Sequence, residues 1–372
     1  MVAKFNQLVA ALYAGGYRFL AVFLVDYFSP QAISADFSRY FFWAGLIAVI
    51  AGVPVAARAQ AKGMNLTHGH QVLLSAILLT IAIPFAFFFW QDSLEDFVLM
   101  IASGFLLSLF EIKRMERASE GRFGLLTLCS IISLVALIAV TSFMQLSAGW
   151  LTVAIFAGLS LPLGFSYIIR PYTIKNKLPL EDAYKPVAAN AFSSLLSTGL
   201  TFIVPLLLIE EFGREHSVHI AQAFAISTVA FSLPRYLSAG FIVAAKQGKA
   251  TFDDVKGLAK KITGFAFLAS GLFFLGSYFF APEMVIFTAL FVALQLSQSS
   301  LSYANWWMVH SQETKLLRLT IWSMLALAAA VAALFFTIPT GTERGEAMLI
   351  AFIGYQLLRF YMFASSKLTF TH

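Results

Sequence analysis

Apolar stretches long enough to cross a bilayer recur from one end of this sequence to the other, separated by short polar breaks. A spanning helix needs about 20 mainly apolar residues. On that rule the pattern predicts helices over 5–28, 37–58, 70–90, 95–112, 123–145, 149–169, 186–209, 218–244, 262–280, 284–308, 317–337 and 347–366. The longest interruptions, 170–185 and 245–261, are too short to fold as domains.

Composition agrees with a lipid solvent. Only 12% of the residues are charged and 59% are hydrophobic, against about 25% charged in an ordinary soluble domain. A soluble chain of this kind would have to display apolar patches that soluble monomers avoid.

The charges set an orientation, because lysine and arginine concentrate in cytoplasmic loops. With the N-terminus inside, 19 of the 25 basic residues fall on inner segments. These include Lys113, Arg114, Arg117 and Arg122 after the fourth span, and Lys246 to Lys261 after the eighth. The outer segments carry only Arg39, Arg214 and Arg344, among acidic groups such as Asp92, Glu95, Asp96, Glu210, Glu211, Glu343 and Glu346. One missed or extra span would invert every later loop, so the alternation predicts twelve crossings with both termini cytoplasmic. The basic, proline-containing stretch 170–185 separates six spans from six. The predicted fold class is therefore all-α, with a first six-helix bundle over 1–169, a linker over 170–185 and a second bundle over 186–372.

The net charge of +6 raises nucleic acid as a partner. The basic residues instead sit in short runs between apolar spans, which excludes it. Cys129 is the single cysteine and lies inside a span, which rules out an intrachain disulfide and a cysteine-based metal site. His68/His70 and His216/His219 are closely spaced but lack further ligands, so no metal is expected. No HExxH, Walker A or GxSxG run is present, and neither catalysis nor a cofactor is predicted.

Three arginines remain outside the topological pattern: Arg18, Arg235 and Arg359, each inside a predicted span. A guanidinium at bilayer depth faces a bundle interior or a watery cavity by default. Arg18 follows Gly15 and Gly16, which permit close helix approach. Arg235 follows Pro234, which interrupts its helix. Arg359 stands nearer the inner surface, where a side chain can also snorkel to water. Arginine keeps its charge and forks onto phosphate or carboxylate, so uncompensated arginines predict an anionic headgroup as ligand. The competing reading is interhelical hydrogen bonding. Asp26 is taken as the one carboxylate inside a span, eight residues from Arg18 and about 12 Å along the axis. Two readings of Asp26 stand open: an outer-gate or ion-coupling group, or an interface residue reaching water. Polar residues in span seven (Asn190, Ser193, Ser194, Ser197, Thr198) and span ten (Gln295, Ser297, Gln298, Ser299, Ser300, Ser302) suit either helix pairing or a hydrated path.

The 6 + 6 layout and basic midline resemble the multidrug/oligosaccharidyl-lipid/polysaccharide exporter superfamily, and within it the polysaccharide (Wzx-type) flippases. So do Arg18 in helix one, ARAQAKG after helix two, KRMERASEGRFG after helix four, PVAANAFSSLLSTG in helix seven and AQAFAISTVAFSLPRYLSAGF in helix eight. The resemblance implies two six-helix bundles around a central cavity that opens alternately inward and outward. It implies a cargo of undecaprenyl-pyrophosphate-linked oligosaccharide, moved across a bacterial inner membrane for O-antigen, capsule or exopolysaccharide synthesis. Membrane lipids, a polysaccharide polymerase and glycosyltransferases would be the partners, and Arg18, Arg235 and Arg359 would meet the pyrophosphate or acidic sugars. The first alternative is a cation-coupled drug antiporter of the same superfamily, which needs buried carboxylates. The second is a membrane glycan polymerase, which the short outer loops disfavour.

Overall fold

The computed structural model describes residues 2–56, 68–88, 90, 92–119, 122–169, 198–231, 234, 237–238, 241, 244–245, 247–310 and 313–366. Arg235, the linker 170–185, and Asn190, Ser193, Ser194 and Ser197 of the seventh span lie outside the described residues. The described chain is helical, with no strand among those residues.

The helices are α1 (Val2–Phe28), α2 (Gln31–Ala51), α3 (His68–Phe88), α4 (Leu94–Ser119), α5 (Phe123–Phe143) and α6 (Ala148–Ile169). They continue with α7 (Leu200–Phe212), α8 (Ser217–Ala230), α9 (Phe252–Phe280), α10 (Thr288–Val309), α11 (Glu313–Thr337) and α12 (Thr342–Ser365). Within the described residues each predicted span overlaps one of these helices, the seventh only from Leu200 and the eighth only to Ala230. Among the described residues, seven helices are long and apolar enough to cross a membrane, with α2, α5, α9, α11 and α12 in that set.

Two boundaries differ from expectation in an instructive way. Helix α4 runs to Ser119 and α9 begins at Phe252, so both take in charged residues assigned to inner loops. Hydropathy marks only the part of a helix at bilayer depth; the backbone stays helical beyond it while helix-forming side chains and a cap allow. For α9 the cap is explicit. The Asp254 amide donates to Thr251 Oγ1 at 3.4 Å, and the Thr251 amide donates to Asp254 Oδ2 at 2.8 Å, which is a reciprocal capping box.

The chain divides into two compact units, one of Met1–Ile209 with Arg214–Gln222 and one of Glu210–Gly213 with Ala223–His372. In the first, α1 packs on α5, α4 on α6, and α2 on α4, α3 and α6. Helix α2 is buried on every side from Tyr40 to Ala51, as expected of a helix that is apolar all round. Small residues let it approach α4. A Cβ on Gly104 would stand 2.6 Å from Ile47, and one on Gly52 would stand 2.7 Å from the Ser108 backbone.

In α5 the usual soluble arrangement is reversed. Leu128, Ile131, Ile132, Val135 and Ile138 are exposed, while Cys129, Ser130, Ser133 and Thr141 are buried. Hydroxyls turn inward because hydrocarbon offers them no partner, and the branched apolar chains face the lipid.

In the second unit, α9 and α12 both pack on α10, and α11 packs on α12. Helix α9 repeats the inside-out pattern, with Ser270 and Ser277 buried and Phe267, Leu268, Leu272 and Leu275 exposed.

Candidate functional site

The residues that could do chemistry are the charges buried against the apolar pattern, and in the first unit they gather where α1 meets α4. Two tyrosines fix the face of α1. The Tyr13 hydroxyl lies 2.8 Å from Ser133 Oγ on α5, and the Tyr17 hydroxyl donates to the Ile155 carbonyl of α6 at 2.6 Å. Arg18, the next residue, then points at α4. Its Nη2 donates to Glu111 Oε1 at 2.9 Å. The other carboxylate oxygen, Oε2, accepts from Arg114 Nη2 at 2.7 Å and Nε at 3.2 Å. Glu111 is thus clamped between two guanidiniums, and both Arg18 and Glu111 are buried.

This overturns the expectation that Arg18 stands uncompensated and that Asp26 is the one carboxylate inside a span. Glu111 is the next-to-last residue of the fourth predicted span; beside Lys113 and Arg114 it reads as the start of a charged loop. Its partner is 93 residues away in sequence, a separation that no helical period reports.

A second polar group adjoins the first. Lys113 Nζ donates to Gln71 Oε1 at 2.8 Å and lies 3.6 Å from Glu116 Oε2. Gln71 in turn donates to Glu116 Oε1 at 3.3 Å. Arg117 is fully buried on the same helix. Lys113 is one residue beyond the predicted span, and burial pushes its ammonium down to about 8 against the opposing pull of Glu116. Over this stretch four basic groups, Arg18, Lys113, Arg114 and Arg117, stand with two carboxylates, Glu111 and Glu116. The region is net positive.

Asp26 lies elsewhere. It is exposed near the end of α1 and accepts a hydrogen bond from Gln222 Nε2 at 2.9 Å. Among the described residues no basic side chain is paired with it.

The three arginines that broke the outer-loop pattern are all paired. Arg39 Nη2 meets Asp92 Oδ2 at 2.6 Å, Arg214 meets Asp36, and Arg344 Nη2 meets Glu211 Oε1 at 2.7 Å. The last pair is buried, and the Gly341 amide adds a bond to Glu211 Oε2 at 3.0 Å. Pairing explains why these exceptions are tolerated: each cation carries its own counter-ion.

Arg359, in the second unit, differs from all of these. It is 5% exposed, and its guanidinium lies over the Phe363 ring at 5.2 Å. Among the described residues no carboxylate pairs with it, and its Nε has no hydrogen-bond partner. No group of histidine, cysteine and acidic side chains able to hold a metal occurs among the described residues.

No protein-family model matches the sequence, and no curated protein matches it. Solved structures do. An outward-facing multidrug resistance MATE family transporter of the MOP superfamily superimposes with a TM-score of 0.61 at 14% identity, over 96% of this chain and 92% of its own. The fold is that of the MATE transporters. A MATE structure in complex with MaD3S gives a TM-score of 0.62 at 16% identity, covering 96% of this chain and 94% of that one. A MOP superfamily transporter from Pyrococcus furiosus, whose binding pocket is described as reversed in polarity, gives 0.61 at 15% identity over 96% and 92%. At these identities the MATE likeness establishes the fold, and it extends over almost the whole chain.

Proposed function

We propose that this chain is a multi-pass membrane transporter, not an enzyme, that exports a small molecule by alternating access in exchange for a cation. The MATE-like fold supports transport, and one observation bears on the cargo. Arg18 is neutralised by Glu111 at 2.9 Å, so the argument from uncompensated arginines to an anionic headgroup loses its first member. The buried carboxylate missed in the sequence, Glu111, is held by two guanidiniums and serves here as their counter-charge. Asp26 is the proposed coupling group. It is exposed, and among the described residues its hydrogen-bond partner is a neutral amide; in this reading it is the group that meets the coupling cation from the outer medium. The proposed topology is six spans over 1–169 and six over 186–372, with both termini cytoplasmic in a bacterial inner membrane.

A second reading keeps the lipid-linked oligosaccharide as cargo. It is favoured by the excess of basic over acidic groups along the inner end of α4, where a pyrophosphate would find Arg18, Lys113, Arg114 and Arg117 close in sequence or contact. In this reading Arg235 remains a proposed contact of the cargo, with a polymerase and glycosyltransferases as partners. The two readings separate in one assay. The purified protein, reconstituted into vesicles, is tested in parallel for movement of a fluorescent organic cation and of a lipid-linked oligosaccharide. Movement of the dye alone supports the antiporter; movement of the glycolipid alone overturns it in favour of the flippase.

A further inference from the structure

The second unit contains a set of buried polar atoms that its own chain leaves unsatisfied. Two contacts at one end and one at the other show that α10 and α12 run parallel and in register. At the start, Phe287 and Gly345 both meet Phe212; at the end, the Tyr303 and Phe360 rings lie 5.9 Å apart. Counting back from that last pair puts Gln356 level with Ser299 and Arg359 level with Ser302. Thr263 Oγ1, 2.8 Å from Ser299 Oγ, brings α9 to the same level.

At this level Gln356, Ser300 and Ser302 are fully buried and Arg359 nearly so. Among the described residues, Gln356 Nε2 and Oε1, the Ser300 and Ser302 hydroxyls and Arg359 Nε are all without hydrogen-bond partners, as is Gln298 Oε1 one turn away. Buried polar groups are ordinarily paired, and a buried cation without a counter-charge is the costlier case. The Phe363 ring face offsets only part of it. Helix α10 has no charged residue at all, and the acidic residues of α12, Glu343 and Glu346, lie near its other end. What this level does offer towards α12 is donors: a guanidinium, a carboxamide and the Ser300 hydroxyl, Ser302 lying on the far side of α10 with Gln295, which donates to the Ser227 carbonyl of α8. Such a set suits an anion. The near-complete burial of Arg359 and Gln356 leaves it closed to a bulky headgroup, whereas a single-atom ion fits between packed helices.

We propose that a chloride ion, or another small monovalent inorganic anion, resides between α10 and α12 as the counter-ion of Arg359, with Gln356 and the Ser300 hydroxyl completing its shell. The ion neutralises the second unit in the way that Glu111 neutralises Arg18 in the first. The site is independent of which cargo the protein carries.

The test is equilibrium binding of radiolabelled chloride to the purified full-length protein at constant ionic strength, alongside thermal unfolding in chloride against gluconate. One chloride should bind per chain, bromide should compete, and chloride should raise the Tm as a ligand of the native state does. Arg359→Met should weaken binding by more than about tenfold and remove the chloride dependence of the Tm. Should that variant fail to fold, Gln356→Leu, which keeps the cation, should weaken chloride binding in a folded protein. Absence of stoichiometric chloride binding to the wild type overturns the proposal, and so does an unchanged affinity in a folded variant. Displacement of chloride by inorganic pyrophosphate also overturns it, because that result requires an open, headgroup-sized site at Arg359.

Discussion

The Arg18–Glu111–Arg114 triad predicts an asymmetric response to mutation. Glu111→Gln leaves two guanidiniums facing one neutral carboxamide, and Arg18 is too deeply placed to reach water. Stranding a buried charge in this way costs about 3–5 kcal/mol. Arg18→Met removes one charge-assisted hydrogen bond, worth about 1.5–3 kcal/mol. It also removes a guanidinium from an apolar site, and Glu111 keeps both bonds from Arg114, at 2.7 and 3.2 Å. The net cost should therefore be only about 1 kcal/mol, the lost bond being largely offset by the desolvation no longer incurred. In the double variant only Arg114 is left, 14% exposed at its side chain and so better able to reach water. Arg18→Met should then rescue Glu111→Gln by about 2 kcal/mol, a coupling well above the scatter of additive pairs. Denaturant titration of the purified variants in mixed micelles measures all three. Equal costs for the two single variants, or simple additivity in the double, would refute the view that Glu111 is shared while Arg18 is dispensable to its pairing.

Three further outcomes follow from the packing, the titration and the topology. Gly104→Val should destabilise the first unit by about 2 kcal/mol or more, because even its Cβ meets Ile47 at 2.6 Å; a wild-type unfolding midpoint would show that α2 and α4 do not pack so closely. Lys113, with its ammonium held down to about 8, releases its proton in the folded state before the unfolded state does. Between pH 8 and the ordinary lysine range near 10.5 the unfolded chain binds more protons, so stability should climb with pH by up to about 3 kcal/mol, and Lys113→Met should flatten that rise. Cys129 is buried and free, so cysteines introduced one at a time report sidedness against a quiet background. Glu346→Cys should react with an impermeant maleimide from outside intact cells and Lys256→Cys only after permeabilisation; the reverse pattern would invert the orientation.

Much of the fold is legible in the sequence because hydropathy over a bilayer-length window carries a strong signal. Within the described residues every predicted span overlaps a helix, and the lipid-facing Leu128, Ile131, Val135 and Ile138 follow from the same physics. The helix ends are less legible. Ser119 and Phe252 are set by caps and helix-forming charged residues outside the apolar window, to which hydropathy is blind. The site is the least legible part. Arg18 stands out on sequence alone, but its partner does not, since an acid at the edge of a span looks like a loop residue until α1 and α4 are placed together. The outer arginines show the same limit. Their carboxylates are visible as a nearby acidic population, while the pairings Arg39–Asp92 and Arg344–Glu211 depend on tertiary contact. Arg359 is the converse case: nothing in the periodicity says whether an intramembrane arginine will find a counter-ion, and only the packed helices show that this one finds none among the described residues.

The central claim is cation-coupled export. It is tested most directly by imposing a pH gradient across vesicles containing the purified protein and following a fluorescent organic cation. The account predicts uptake against the dye's own gradient, abolished by a protonophore. It further predicts that Asp26→Asn loses this gradient-driven uptake yet still exchanges dye for dye. Gradient-driven uptake that survives in Asp26→Asn would contradict the assignment of the coupling group. The absence of any dye flux in the wild type would contradict the antiporter account itself.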